Sequence, residues 1–155
     1  MIRSILLCFF LAPLIIGAQS VKEEVELYQS LYGMEKKKAA AQVFQPEKQF
    51  NQDFWFLYDE YEDKRKAIGQ QRISNIFNYV NNYTTLNNEQ LDYLVLSSIK
   101  QRGQLDKLIK NYHKKIKKIS DSKTAAQFVQ LELFFLSATR TELMANLPFI
   151  GALDE

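Results

Sequence analysis

The stretch LNNEQLDYLVLSSIKQRGQLDKLIKNYHKKIKKI, residues 86–119, opens with a stop-and-restart signal and then holds one helical pattern to its end. Asn87 occupies an N-cap position. Gln90, three residues on, is placed to return a hydrogen bond to the backbone of the cap, which makes a capping box. Behind it Leu91, Leu94, Ser98, Arg102, Leu105, Ile109, Tyr112, Ile116 and Ile119 recur at steps of three and four, one stripe broken by two polar members. One helix therefore ends before Asn87, and a long one begins there.

Upstream, Phe50, Phe54, Leu57, Tyr61, Ile68, Ile73, Ile76, Val80 and Tyr83 mark a second long amphipathic helix. Pro46 suits its first position and Glu47 suits the positive end of its dipole. Downstream, SDSK (residues 120–123) supplies a turn and cap. Ala125, Phe128, Val129, Leu131, Phe135, Leu136, Leu143 and Leu147 then lead a further helix to Pro148. A helix over residues 21–43, weakened at Gly33, precedes them all. With no strand alternation and no Gly/Pro-rich linker, the fold class is all-α, a single helical domain over 21–150 with a tail at 151–155.

At 1.5 Å per residue the two central helices each run about 50 Å, more than the width of a compact domain of this size. The expected architecture is an elongated antiparallel hairpin with additional N- and C-terminal helices laid along it. Gly69 and Gly103 both stand 17 residues from Leu86 and so fall at one height of such a hairpin. Each costs about 1 kcal/mol against alanine. They read either as tolerated glycines or as a shared bend or close approach.

The first residues, MIRSILLCFFLAPLIIGAQS, combine Arg3, an uncharged apolar run from Ile5 to Ile16, and small residues at Gly17, Ala18 and Ser20. The run is short of the roughly 20 residues of a membrane span and reads as a secretory signal peptide over 1–20, cleaved after Ala18 or Ser20. A periplasmic or secreted location follows as an expectation. Cys8, the single cysteine, lies inside the apolar run, so the mature chain has no disulfide and its fold rests on packing. Twenty bases face 18 acids, so global charge names no partner.

The segment FWFLYDEYEDKR, residues 54–65, concentrates aromatics and carboxylates. Phe54, Leu57 and Tyr61 belong to the buried stripe. Asp59, Glu60, Glu62 and Asp63 fall mainly on other faces, where Glu60–Lys64 and Glu62–Lys66 form surface pairs four residues apart. Exposed acids beside bases make poor general acids. His113 is the only histidine and has no acid three or four residues away, which disfavours a zinc or copper site. No phosphate loop, nucleophile elbow or cysteine nucleophile is present. We expect no enzyme activity, no catalytic residue, no metal and no cofactor.

Charge is nevertheless uneven. Nine bases between Lys100 and Lys123 stand against Asp106 and Asp121. Lys100, Arg102, Lys107, Lys110, Lys114, Lys117 and Lys118 form a candidate partner-binding face for acidic partners, unfolded chains or lipid headgroups. Nucleic acid is disfavoured, since the chain reads as exported and shows no recognised binding motif. Glu132 occupies a stripe position between Phe128 and Phe135, where a carboxylate needs a partner. Counting back through the two turns sets it level with Arg65 and Tyr61, so a structural pair with Arg65, or failing that with Tyr61, is expected. The aromatic set Phe44, Phe50, Trp55, Phe56 and Tyr58 exceeds what such thin helices cover, which points to a homodimer.

With these residues in place the chain resembles the periplasmic helical proteins of the Spy/CpxP kind, whose helices open on L-T-x-x-Q. Leu86-Asn87-Asn88-Glu89-Gln90 matches with Asn for Thr, and Phe44-Gln45-Pro46-Glu47-Lys48 is a poorer copy. It looks closer to a secreted branch with the elements F-W-x-x-Y-x-x-Y-E, F-x-Q-x-E and R-x-x-L-x-x-x-(I/L)-P. These stand here as Phe54-Trp55, Tyr58 and Tyr61-Glu62, then Phe128, Gln130 and Glu132, then Arg140, Leu143, Leu147 and Pro148. The resemblance implies a non-enzymatic, chaperone-like or envelope stress-response protein, a curved dimer that cradles unfolded envelope proteins. Its rival is a regulatory subunit binding one folded envelope partner such as a stress sensor. Metal-sensing relatives use His or Cys clusters, which this chain lacks. Contact with a membrane surface fits the basic face, but integration after signal cleavage does not.

Overall fold

The computed structural model describes residues 35–44, 50–145 and 147, and every regular element among them is helical. Residues 35–43 belong to α1, followed by α2 (Asn51–Asn82), α3 (Asn88–Ile119) and α4 (Ser122–Ala145). The expected signal peptide, the opening of the first helix, Pro46 and Glu47, Pro148 and the tail at 151–155 lie outside the described residues.

Local chemistry sets the two turns. Asn87 accepts from the Gln90 backbone N–H at 2.9 Å and its own N–H donates to Gln90 Oε1 at 2.9 Å, so the capping box is complete at the head of α3. Ahead of it, Asn82 O takes the N–H groups of Thr85 and Leu86, which closes α2. Lys117 and Lys118 stand in the last turn of α3, at the negative end of its dipole. Asp121 then caps α4 by accepting from the Thr124 N–H at 2.7 Å. That bond, from backbone to carboxylate, holds the Asp121 carboxyl below its usual pKa.

α2 and α3, 32 residues each, run antiparallel: Asn75 donates to Ser97 near the turn, and farther from it Lys64 meets Tyr112 and Lys115 meets Glu60. α4 returns along α3. The core lies at the end distant from residues 83–87, where all four helices meet. There Phe44 packs edge-on to Phe54, Trp55 and Tyr58, and Tyr61 packs edge-on to Tyr112 and Phe128. Each such ring contributes about 1.5–3 kcal/mol by burial, with up to about 1.5 more from edge-to-face geometry. Toward the 83–87 turn the buried side chains thin out to Leu94, Gln101 and Leu105.

Several side chains differ from the sequence expectation. Tyr58, not Leu57, is the fully buried neighbour of Phe54, and Phe44 is buried as well, so neither Phe44 nor Tyr58 is left for a dimer contact. Phe56 remains exposed. On α3 Gln101 is buried and Arg102 exposed, because α3 is covered on two sides, by α2 and α4, and its buried arc is rotated from a single stripe. Among the described residues a Cβ added at Gly103 would meet nothing within 4 Å, so no close approach among them explains that glycine.

Candidate functional site

Lys36 on α1 enters the aromatic core with only 2% of its surface exposed. Its Nζ donates to Glu62 Oε1 at 2.6 Å and to Glu132 Oε2 at 2.5 Å. The rings of Tyr61 and Phe135 lie 5.3 and 5.7 Å away and add cation–π attraction. The Tyr61 hydroxyl donates to the same Glu132 oxygen at 2.6 Å. Arg65 Nε and Nη2 donate to the two oxygens of Glu62 at 2.9 and 3.0 Å.

The expected pair is thereby redrawn. Glu132 is buried and bonded to Tyr61, but the guanidinium of Arg65 is taken by Glu62 and reaches Glu132 only through the field of its charge. Lys36 holds the position expected of Arg65. Glu62, expected on a solvated face beside Lys66, is buried in the same network. Two cations balance two anions, so desolvation is offset by attraction rather than surpassed by it. The cluster fixes which face of α1 docks on α2 and α4.

Burial pushes Glu132 above its ordinary pKa, and Lys36 and Tyr61 only partly offset it. Burial acts on Glu62 in the same sense, but the Lys36 charge and the Arg65 hydrogen bonds outweigh it and leave that carboxyl low. Tyr61 is pushed far up by burial and by the Glu132 charge, so it stays a hydrogen-bond donor. With Glu132 wholly buried, no substrate can reach its carboxyl group. The cluster is a joint between helices.

The other acids of residues 54–65 lie at the surface. Asp59 pairs with Lys37, and Glu60 pairs with Lys64 and Lys115. Hydrogen bonds from those two lysines hold Glu60 down to about 2. Among the described residues no group of three or more His, Cys, Asp or Glu side chains stands where it could hold a metal ion. Among them, too, no helix is long and apolar enough to cross a membrane.

The basic residues of α3 divide in two. Lys100, Lys107, Lys110, Lys114, Lys117 and Lys118 are exposed and share the outward face, opposite Leu105, Ile109, Tyr112 and Ile116. Arg102 is not among them, since it lies toward α4 in a groove with Arg72 and Arg140. Lys115 is also apart, over the Tyr112 ring at 4.5 Å. The outward face continues toward the head of α3 through Tyr93, Leu96 and Ile99, which are 65%, 64% and 63% exposed. One helix face thus carries three large exposed apolar side chains in its first part, with Glu89 and Asp92 among them, and lysines in its second.

Sequence reasoning missed Lys36. It stands in a run of three lysines, and the available signal was its spacing of four from Ala40 and of eight from Phe44, both buried. Glu62 carried a similar signal, four residues after Tyr58 and eight after Phe54. Compared with known proteins, the chain matches no family model, no curated relative and no solved structure.

Proposed function

We propose that the chain is a non-enzymatic, chaperone-like envelope protein that holds unfolded segments of other proteins on the outward face of α3. The observation behind this reading is the juxtaposition on that face of exposed Tyr93, Leu96 and Ile99 with the six lysines that follow. Unfolded chains display apolar side chains interspersed with acids. An apolar strip gives them area to bury, and a cationic continuation draws in their carboxylates and speeds encounter. The resemblance to Spy/CpxP-like proteins supports the same reading on the residues quoted above, and the apolar run of 1–20 supports export. Phe56 on α2 and Phe134 on α4, both largely exposed, are among the apolar side chains open to a homodimer contact.

The test is suppression of aggregation of several unrelated denatured proteins at near-stoichiometric ratio. Combined Tyr93→Ser and Leu96→Ser substitutions should abolish suppression while leaving the helical circular dichroism intact. Activity toward none of the substrates, together with one specific protein in pull-down, would assign the chain to the regulatory alternative. Light scattering reads the dimer separately, since a monomer mass removes the dimer and leaves the client face standing.

A further inference from the structure

Arg72 of α2, Arg102 of α3 and Arg140 of α4 converge on one groove of about 230 Å³, with Asp106 as the single acid among the described residues that line it. Among the described residues none of the three arginines makes a hydrogen bond or ion pair. Burial, with the like charge of Arg140 added to it, holds the Arg72 guanidinium below its ordinary pKa. Cations gathered from three helices with one carboxylate between them repel one another, and an anion seated among them removes that repulsion.

The groove does not end there. It shares Arg72, Ser98, Gln101 and Met144 with a second one of about 410 Å³ that runs toward the 83–87 turn, lined by Ile76, Tyr79, Leu94, Val95 and Leu147. That volume lies within the range of about 300–1,000 Å³ typical of small-molecule sites. The basic end and the apolar end are therefore one continuous channel between the helices.

Gln101 sits where the two meet. It is 4% exposed, and among the described residues its Oε1 has no hydrogen-bond partner while its Nε2 donates weakly to Ser97 Oγ at 3.4 Å. Asn75 Nδ2 already donates to that oxygen at 2.7 Å, which leaves the Ser97 hydroxyl proton to be given away. Turning the Gln101 amide over lets Ser97 donate to Oε1 and frees both Nε2 hydrogens for the groove. A buried amide then offers a neutral donor beside the arginines.

We infer that this channel binds a single-chain anionic amphiphile, its carboxylate or phosphate head between Arg72, Arg102 and Arg140 and its alkyl chain along Ile76, Tyr79, Leu94 and Val95. Ile99 stands at the rim of both the groove and the outward face, but none of the six lysines, nor Tyr93 or Leu96, lines the channel, and the inference does not rest on the client-binding reading, so either can fail alone.

Dodecanoate below its micellar concentration is the probe, titrated into the full chain by calorimetry with dodecanol and inorganic phosphate as the half-ligands. Saturable one-to-one binding with a raised melting temperature is expected, with each half-ligand weaker by about tenfold or more. Dodecyl phosphate binding as well as dodecanoate would place either head group within the inference. Arg72→Gln and Arg140→Gln should each weaken dodecanoate by about tenfold, and Lys110→Gln with Lys114→Gln should leave it unchanged. These variants remove no core contact, and circular dichroism checks their fold. Absence of saturable binding, equal binding of dodecanol, equal loss in the lysine variant, or tighter binding of an acidic apolar peptide than of dodecanoate would each overturn the inference.

Discussion

Lys36 Nζ lies 2.5 Å from Glu132 Oε2, a contact between residues 96 apart in the chain that ties the first described helix to the last. Because the same nitrogen also holds Glu62, removing it leaves two carboxylates buried and facing each other's charge. Lys36→Met should cost about 3–5 kcal/mol, the usual penalty for stranding a buried charge. Neutralising one stranded partner in Lys36→Met/Glu132→Gln should recover part of that loss, with a coupling of about 0.5–3 kcal/mol. Urea denaturation measures both, and strictly additive effects would show that Lys36 and Glu132 are not energetically joined.

The two buried carboxylates should give opposite pH signatures. Glu62 lies below its ordinary 4.5 in the folded chain, so its contribution is present above that pH and lost as pH falls through the folded value. Glu132 lies above 4.5, so its contribution is complete below that pH and lost as pH rises through its folded value. Relative to wild type, Glu132→Gln should therefore gain stability as pH rises above 4.5, and Glu62→Gln should gain it as pH falls below 4.5. Melting temperatures across about pH 3 to 8 read the difference. Parallel curves for the three proteins would contradict the assignment.

These contacts show where sequence is informative. The Asn87–Gln90 box was legible because both partners lie within one turn of chain and local geometry alone decides their bond. Glu132 was legible as buried because an acid interrupts its apolar stripe, and Tyr61 as its neighbour because two turns fix the register to within a residue or two. Choosing among Arg65, Lys36 and the other bases needed more than register. Lys36, Lys37 and Lys38 differ only in which way α1 faces, and a rotation of about 100° per residue separates the buried lysine from the exposed ones. The same rotation exchanged Leu57 with Tyr58 and Arg102 with Gln101. The three-arginine groove left no motif at all, since each helix contributes one residue and only packing brings them together.

Gly103 lies inside α3, and a methyl group added to it would enter open space. Nothing in the described packing requires a glycine there, so its only local effects are the looser unfolded chain and the weaker helix propensity. Gly103→Ala should then stabilise the protein by about 0.4–1 kcal/mol, partly by restricting the unfolded state. The gain should appear as a higher urea midpoint at unchanged slope, since the surface exposed on unfolding hardly changes. A loss of stability that grows with protein concentration would instead reveal a second copy packed against α3 at this height, where the extra methyl would meet its backbone. A concentration-independent gain would place Gly103 outside any interface and leave α3 free at that level to receive other chains.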